Sequence, residues 1–276
     1  MAHSPAMGTG KRLTRVGKAR PKLSALVVAR NEQAQLADCL ETLRFADEIV
    51  VVLDRSSDDS ARIAQRFKAK RIDGAWEREG PRRNAGISAC KSDWILEVDA
   101  DERVTPALAA EIRATLEWAG PEIARGYFLV PMANHVGGKL VRFGWGAYNG
   151  VAAKPSLFRN GAKRWGAGRV HPKIELKGNG GTLVQPMEHL VDRNISDMIQ
   201  RLNRYTDLAA RDARDSGQQP RLSRAMRRSL SRGWKSYVAR QGYREGAWGV
   251  ALALFSALYP LLIDLKLATG KDGERA

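Results

Sequence analysis

Short apolar runs alternate with helix-spaced polar stretches through roughly the first 120 residues. Leu23–Ala29 is an apolar run suited to a buried parallel strand, and Arg30-Asn31-Glu32 ends it. Leu36, Cys39, Leu40 and Leu43 then recur on one face of a predicted helix. Glu48–Leu53 predicts a second strand closing on Asp54. The polar cluster after it, with Asp58 and Asp59, can cap a helix carrying Ile63, Ala64 and Phe67. A weaker strand falls at Lys70–Ile72, and Gly80–Asn84 opens a helix that ends near Lys91. Trp94–Val98 is the next apolar, β-favouring run; it leads straight into Asp99 and Asp101, and a further helix begins near Thr105-Pro106. This alternation predicts an α/β, doubly wound, mostly parallel sheet flanked by helices. Ligands of such sheets bind outside the carboxyl ends of the strands.

From about Gly126 the pattern loosens. Tyr127–Val130 and Pro155–Phe158 read as strands, with glycine-rich and aromatic sequence between them, and Trp165–His171 and Gly178–Gly181 read as loops. Helical spacing returns with Ile195, Ile199, Leu202, Tyr205 and Leu208. After Ser216-Gly217, Leu222, Met226, Leu230, Trp234 and Tyr237 fall toward one side of a second helix, with Arg221, Arg224, Arg228, Arg232 and Lys235 on its other side. Ala247–Ile263 then runs 17 residues without a charge, at the lower edge of a spanning length and interrupted by Gly249 and Pro260. Two readings fit: a basic amphipathic helix and its apolar successor lying on an anionic leaflet, or a core-packed hairpin with a solvated charged face. The expected organisation is a basic arm over 1–22, an α/β domain over 23–193 with halves at 23–118 and 119–193, and a helical, membrane-associated tail over 194–276.

The formal charge of +16 on 276 residues implies an anionic partner. The arm accounts for part of it, with six Lys and Arg and no acid up to Lys22. Cys39 and Cys90 lack metal or redox spacing, which suits a reduced, cytoplasmic setting. A nucleic-acid binder or other non-catalytic basic protein is the alternative class. The basic residues gather in arm and tail rather than around base-stacking aromatics, so no nucleic acid is expected, and a salt-dependent gel shift would separate the two readings. Neither a dinucleotide glycine fingerprint nor a phosphate-loop lysine follows the first strand. Ala29-Arg-Asn-Glu32 also stands where nucleotidylyltransferases carry a glycine-rich signature with a lysine.

Asp99 and Asp101, one residue apart at a strand end, are placed either to grip a hard divalent cation or to cap the following helix. The flanking motifs bear on that choice. Val27–Glu32, Asp47–Asp54 with Ser57-Asp58, Arg83-Asn84 and Trp94–Val104 together resemble the family 2 glycosyltransferases, most closely the lipopolysaccharide-core β-glucosyltransferase branch. The resemblance implies a GT-A fold (Rossmann-like, with a C-terminal helical appendage here) and inverting transfer from a nucleotide-diphosphate sugar, most simply a UDP-sugar. The acceptor would be a cell-envelope glycan or glycolipid, and the enzyme would sit peripherally on the inner face of the cytoplasmic membrane. It further implies that Ala29, Arg30, Asn31 and Glu32 line the nucleotide site, that Asp54 contacts the base and that Arg83 lies near the diphosphate. Asp99 would approach ribose or metal, and Asp101 would bind Mg²⁺ or Mn²⁺. Where relatives show Val-His-Glu, this chain has Val170-His171-Pro172. The general base that must deprotonate the acceptor hydroxyl is therefore sought at His171, at Glu175, or in the pair Glu188-His189.

Overall fold

The computed structural model describes residues 20–118, 125–145, 152–166 and 173–270. The N-terminal half follows the hydrophobic rhythm closely: β1 (Leu23–Ala29), α1 (Leu36–Glu41), β2 (Glu48–Asp54), α2 (Ser60–Arg66), β3 (Lys70–Gly74), α3 (Glu79–Ala89) and β4 (Trp94–Asp99). A two-residue β5 (Glu102–Arg103) and α4 (Pro106–Trp118) come next. The second half contributes β6 (Arg125–Val136), β7 (Lys139–Leu140), β8 (Ala153–Arg159), β9 (Lys163–Trp165), β10 (Ile174–Leu176), β11 (Asn179–Thr182) and β12 (Met187–Asp192).

Ten of these strands form one sheet, in the order β3-β2-β1-β4-β8-β6-β12-β5, with β7 and β11 beside β6. β3, β2, β1 and β4 are mutually parallel, and β8 runs antiparallel between β4 and β6. Because strand side chains alternate, β1 feeds two cores. Leu23, Ala25 and Val27 pack with α1, α2 and α4 on one face, while Leu26 and Val28 pack with Ile87 of α3 and Phe158 of β8 on the other. Register aligns Val28 with Val52 and with Asp99, so β1, β2 and β4 end together and bring Arg30, Asp54 and Asp99 to one edge.

The expected loop at Gly178–Gly181 is instead β11, parallel to β6. Glycine permits this: a Cβ on Gly180 would lie 2.7 Å from the Tyr127 ring, so the strand approaches β6 where a side chain would not fit. Glu102 is a fully buried member of β5, and Thr105 Oγ1 accepts from Leu108 N (3.1 Å) at the start of α4. Asp58 does brace the start of α2, its carboxylate accepting from Ser60 N (3.1 Å).

The tail consists of α5 (Ile195–Asp215), α6 (Leu222–Trp234), a π turn (Lys235–Ala239), a 3₁₀ turn (Gly242–Glu245) and α7 (Ala247–Thr269). Asn194 caps α5, accepting from Asp197 N at 2.9 Å. Met198 and Leu202 of α5 and Leu252, Phe255 and Tyr259 of α7 form a third core with Val136 at the end of β6 and Val141 just after β7. α7 is the one described helix long and apolar enough to cross a membrane by length and composition. Polar ties nonetheless hold it to its neighbours: Lys266 Nζ donates to Asn203 Oδ1 and pairs with Asp207, each at 2.7 Å, and Asp264 accepts from Arg221 N at 2.7 Å. At its first turn, a Cβ on Gly249 would fall 1.7 Å from the carbonyl oxygen of Gly242. Gly249→Ala should therefore lower unfolding free energy by about 1–3 kcal/mol, as overpacking does; a denaturant midpoint unchanged from wild type would show that α7 is not seated this closely.

Candidate active site

The first two strand ends are locked to each other. Asn31 and Arg55 both adopt left-handed backbone (φ 55° and 50°), a conformation non-glycine residues reach at local cost. Asn31 Oδ1 accepts from Ser57 N at 2.9 Å, Glu32 N donates to Ser60 Oγ at 3.1 Å and Gln33 N donates to Asp58 at 2.8 Å. Asp54 is buried, and its two oxygens accept from Trp76 N (3.0 Å) and Arg82 Nη1 (3.1 Å). The Nε of Arg82 is buried without a hydrogen-bond partner.

Beneath this edge lies a chain of buried charges. Arg83 donates from Nε to Glu79 (2.7 Å), from Nη1 to Glu97 (2.9 Å) and from Nη2 to Asp99 (2.8 Å), with its guanidinium 4.7 Å from the centre of the Trp165 ring. Glu97, inside the apolar β4, also accepts from Lys163 Nζ at 2.6 Å and from Trp165 Nε1 at 3.2 Å. Lys154 of β8 donates to Asp99 Oδ2 at 2.6 Å and also pairs with Glu102. Glu102 in turn accepts from Asp99 N at 2.9 Å. Burial alone would push the Asp99 carboxyl up; Arg83 and Lys154 outweigh it and hold the group well below the usual carboxylate range.

Asp101 stands apart from that network. It is one-third exposed, and His189 of β12 places Nε2 3.4 Å from its carboxylate. The other ring nitrogen, Nδ1, lies 2.9 Å from Asn134 Oδ1; the protonated ring donates to Asn134 and Asp101 from its two nitrogens, and loss of the Nε2 proton would leave the N–H on Nδ1 and a lone pair on Nε2. That is the tautomer a metal ligand needs, with the supporting contact that metal-bound histidines commonly have. The charges point the same way. Glu79, Glu97, Asp99, Asp101 and Glu102 outnumber Arg83, Lys154 and Lys163 within the cluster. Neighbouring groups register the excess. Burial first, then Asp101, raises the Glu32 carboxyl to about 7; Arg204 of α5 opposes the shift. Burial opposes a charge on His189, yet Asp101 and Glu102 raise its pKa. Asp101 and His189 alone do not make a cluster of three or more acidic, His or Cys ligands, and none occurs among the described residues. A cation that keeps several waters or diphosphate oxygens fits such an open pair.

The edge thus gathers Ala29, Arg30, Asn31, Glu32, Asp54, Arg83, Asp99 and Asp101, all named from the sequence. The contacts of Arg83 and Asp99 distinguish them from the rest. Arg83 spends its donors on carboxylates and so positions Asp99. Asp99 has one oxygen on Arg83 and the other on Lys154, which leaves Asp101 as the open carboxylate. His171 lies outside the described residues. Glu175 is exposed and pairs across the β9–β10 ribbon with Arg164, on the face opposite Lys163 and Trp165, so the structure does not bring it to this edge. Glu188 and His189 point to opposite sides of β12, and the histidine serves Asp101. Sequence reasoning passed over Glu97, Lys154 and Lys163. A charge at the centre of an apolar strand was the available signal for Glu97; nothing local marks the two lysines.

Residues 24–131 match the profile of glycosyl transferase family 2. The chain carries a family 2 glycosyltransferase domain. Over 267 residues this glycosyltransferase is 28% identical to the lipopolysaccharide core biosynthesis glycosyltransferase LpsC of Rhizobium meliloti, spanning 89% of this chain and 91% of that one. An uncharacterized glycosyltransferase of Rickettsia felis is 36% identical over 92 residues, 33% of this chain and 32% of its own length. Among solved structures, glucosyl-3-phosphoglycerate synthase from Mycobacterium tuberculosis, in complex with Mn²⁺, UDP and glucosyl-3-phosphoglycerate, is 18% identical with a TM-score of 0.35, over 42% of this chain and 44% of that one. The mostly parallel sheet with its flanking helices and helical tail is the GT-A arrangement expected of the family.

Lys154 is the cation on which the glycosyltransferase's Asp99 and Glu102 both depend. Replacing it with Met should destabilise the fold by about 3–5 kcal/mol, the cost of stranding buried partners, with partial recovery in Lys154→Arg. Equal stability of the Met variant and wild type, measured by denaturant unfolding, would show that the buried carboxylates do not need this partner.

Proposed function

We propose that this glycosyltransferase moves a sugar, with inversion, from a nucleotide-diphosphate donor, most simply a UDP-sugar, to a cell-envelope glycan or lipid-linked acceptor. The observation that carries the reading is the pairing of Asp101 with His189 beside an Asp99 immobilised by Arg83 and Lys154. Asp101 and His189 Nε2 would hold Mg²⁺ or Mn²⁺, which neutralises charge on the departing nucleoside diphosphate when bound. Ala29–Glu32 and Asp54 shape the nucleotide cleft, and their cross-bracing presents it already formed. Arg82, anchored on Asp54 with Nε unpartnered, is the cation best placed for the diphosphate. The acceptor class rests on the near full-length similarity to a lipopolysaccharide core enzyme. Such acceptors are built at the cytoplasmic face of the membrane, and the basic tail supports that location.

Of the base candidates, His171 is the one this reading keeps. Gly166 N donates to Lys173 O at 2.8 Å, and Trp165 is held at both backbone groups by the Asn84 side chain of α3, so the described residues flanking 167–172 are anchored next to Arg82 and Arg83. Glu175 is directed elsewhere.

Nucleotide release from a panel of sugar donors, with and without EDTA, tests the proposal directly. Asp101→Ala should lower turnover by at least about a hundredfold with the fold intact, and Mn²⁺ should restore EDTA-treated wild type. Undiminished turnover in that variant, or indifference to EDTA, would rule out the cation role. In the same assay His171→Ala should lose about 10²–10⁴-fold in turnover, the usual worth of a general base, while Glu175→Ala stays at the wild-type rate. The reverse ranking would move the base to the β9–β10 ribbon.

A further inference from the structure

Helix α6 turns its small residues inward and its large apolar ones outward. Ala225 and Ser236 are fully buried, and Gly233 lies against Ala253 and Ala257 of α7. Leu222, Met226, Leu230 and Trp234, spaced by four, form a continuous row facing away from the protein, with Leu230 77% and Trp234 65% exposed. Tyr237 and Tyr243 extend the row past the helix, both exposed, their rings 6.3 Å apart edge to face. A helix that packs only in water places its large apolar residues the other way round. Going round the helix, the row is followed by a basic sector including Arg224, Arg228 and Lys235. From Gln219 to Arg240 there are seven basic residues and no acidic one.

This combination identifies the occupant. A second copy of the chain on this face would set one basic sector against another, since a two-fold contact pairs a patch with itself. Nucleic acid would satisfy the arginines and leave the leucines and tryptophan in water. A bilayer with anionic headgroups satisfies both: acyl chains take the row, headgroups take the guanidinium groups, and Trp and Tyr sit at the boundary between them. We propose that α6 lies flat in the interface of an anionic membrane through Leu222, Met226, Leu230 and Trp234, while α7 stays within the protein as the strut that supports it. The polar ties of Lys266 and Asp264, the close seat of Gly249 and the burial of Leu252, Phe255 and Tyr259 make α7 a part of the fold, while Val250 and Leu254 on its other side stay exposed. The inference rests on the proposed membrane-linked acceptor only for its purpose, because binding requires neither donor nor acceptor.

The test is flotation of the full chain with vesicles of phosphatidylcholine alone or with about a quarter phosphatidylglycerol. Wild type should float with the anionic vesicles, release at high salt, and remain behind with the neutral ones. The double variant Leu230→Ser/Trp234→Ser should bind at least about tenfold more weakly, as should Arg224→Gln/Arg228→Gln. Nucleotide release in solution should be unaltered in both, so a failed transferase reading would show there and a failed docking reading in the flotation. Lipids brominated on the acyl chains should quench wild-type tryptophan fluorescence, and Trp234→Phe should remove most of that quenching. Absence of flotation, equal binding to neutral vesicles, or wild-type binding by the first double variant would overturn the proposal. So would an oligomer, broken by that variant, in a protein that does not bind vesicles.

Discussion

Asp99 and Glu102 share a lysine that comes from the far side of the strand order. Lys154 arrives on β8, the antiparallel strand inserted beside β4, and its ammonium sits between the carboxylate that ends β4 and the one that opens β5. Without it, two buried acids three residues apart would face each other at the point where the chain turns from strand to helix. Arg83 completes the arrangement from α3, on the opposite side of Asp99, and reaches through to Glu97. The position of Asp101 follows from these contacts. Held at Asp99 and Glu102, the short segment between them has little freedom, and Asp101 is presented outward to His189. A buried salt bridge is weak evidence of net stability; here its consequence is geometric, since it fixes where the one open carboxylate points.

The same network shows what a sequence can and cannot disclose. Continuous apolar runs identified β1, β2 and β4, strands of a sheet with a core on each face, and helical spacing identified helices between them. The convergence of Arg30, Asp54 and Asp99 followed from topology alone, as strand ends of a parallel sheet share an edge. The partners of those groups did not follow. Lys154 is 55 residues from Asp99, and Lys163 is 66 from Glu97. An isolated lysine in a strand looks like a solvated charge until the opposing carboxylate is seen. The family resemblance implied Arg83 near the diphosphate; its donors are directed inward, to Glu79, Glu97 and Asp99. β11 escaped notice for the converse reason. Its glycines resemble a loop, yet the missing side chains are what allow it to lie against Tyr127.

The tail is legible by pattern but ambiguous by sign. Spacing put Leu222, Met226, Leu230 and Trp234 on one side of α6, and spacing alone does not say whether that side faces a core. The interior of α6 is supplied by Ala225 and Gly233, the latter against Ala253 and Ala257 of α7, and the large residues lie outward. α5 connects this surface to the active site. It shares a core with α7 on one side, and on the other Arg204 is near enough to Glu32 to lower that group's proton affinity.

Net charge acquires a meaning once it is located. The chain carries +16, yet in the cluster around Asp99 the carboxylates Glu79, Glu97, Asp99, Asp101 and Glu102 outnumber Arg83, Lys154 and Lys163. The positive surplus therefore does not lie in that cluster. Much of it lies in the arm before Lys22 and along α6. Under the proposed transfer, a diphosphate approaching Asp101 would be repelled unless a cation were bound first, whereas an anionic surface approaching α6 would be attracted at once. Attraction at the tail and selectivity at the edge are thus assigned to different parts of the chain. Arg82 meets a diphosphate from the Asp54 side of the edge, so under the proposed transfer the charge left for a cation to offset is that of Asp101, the carboxylate the buried network turns outward.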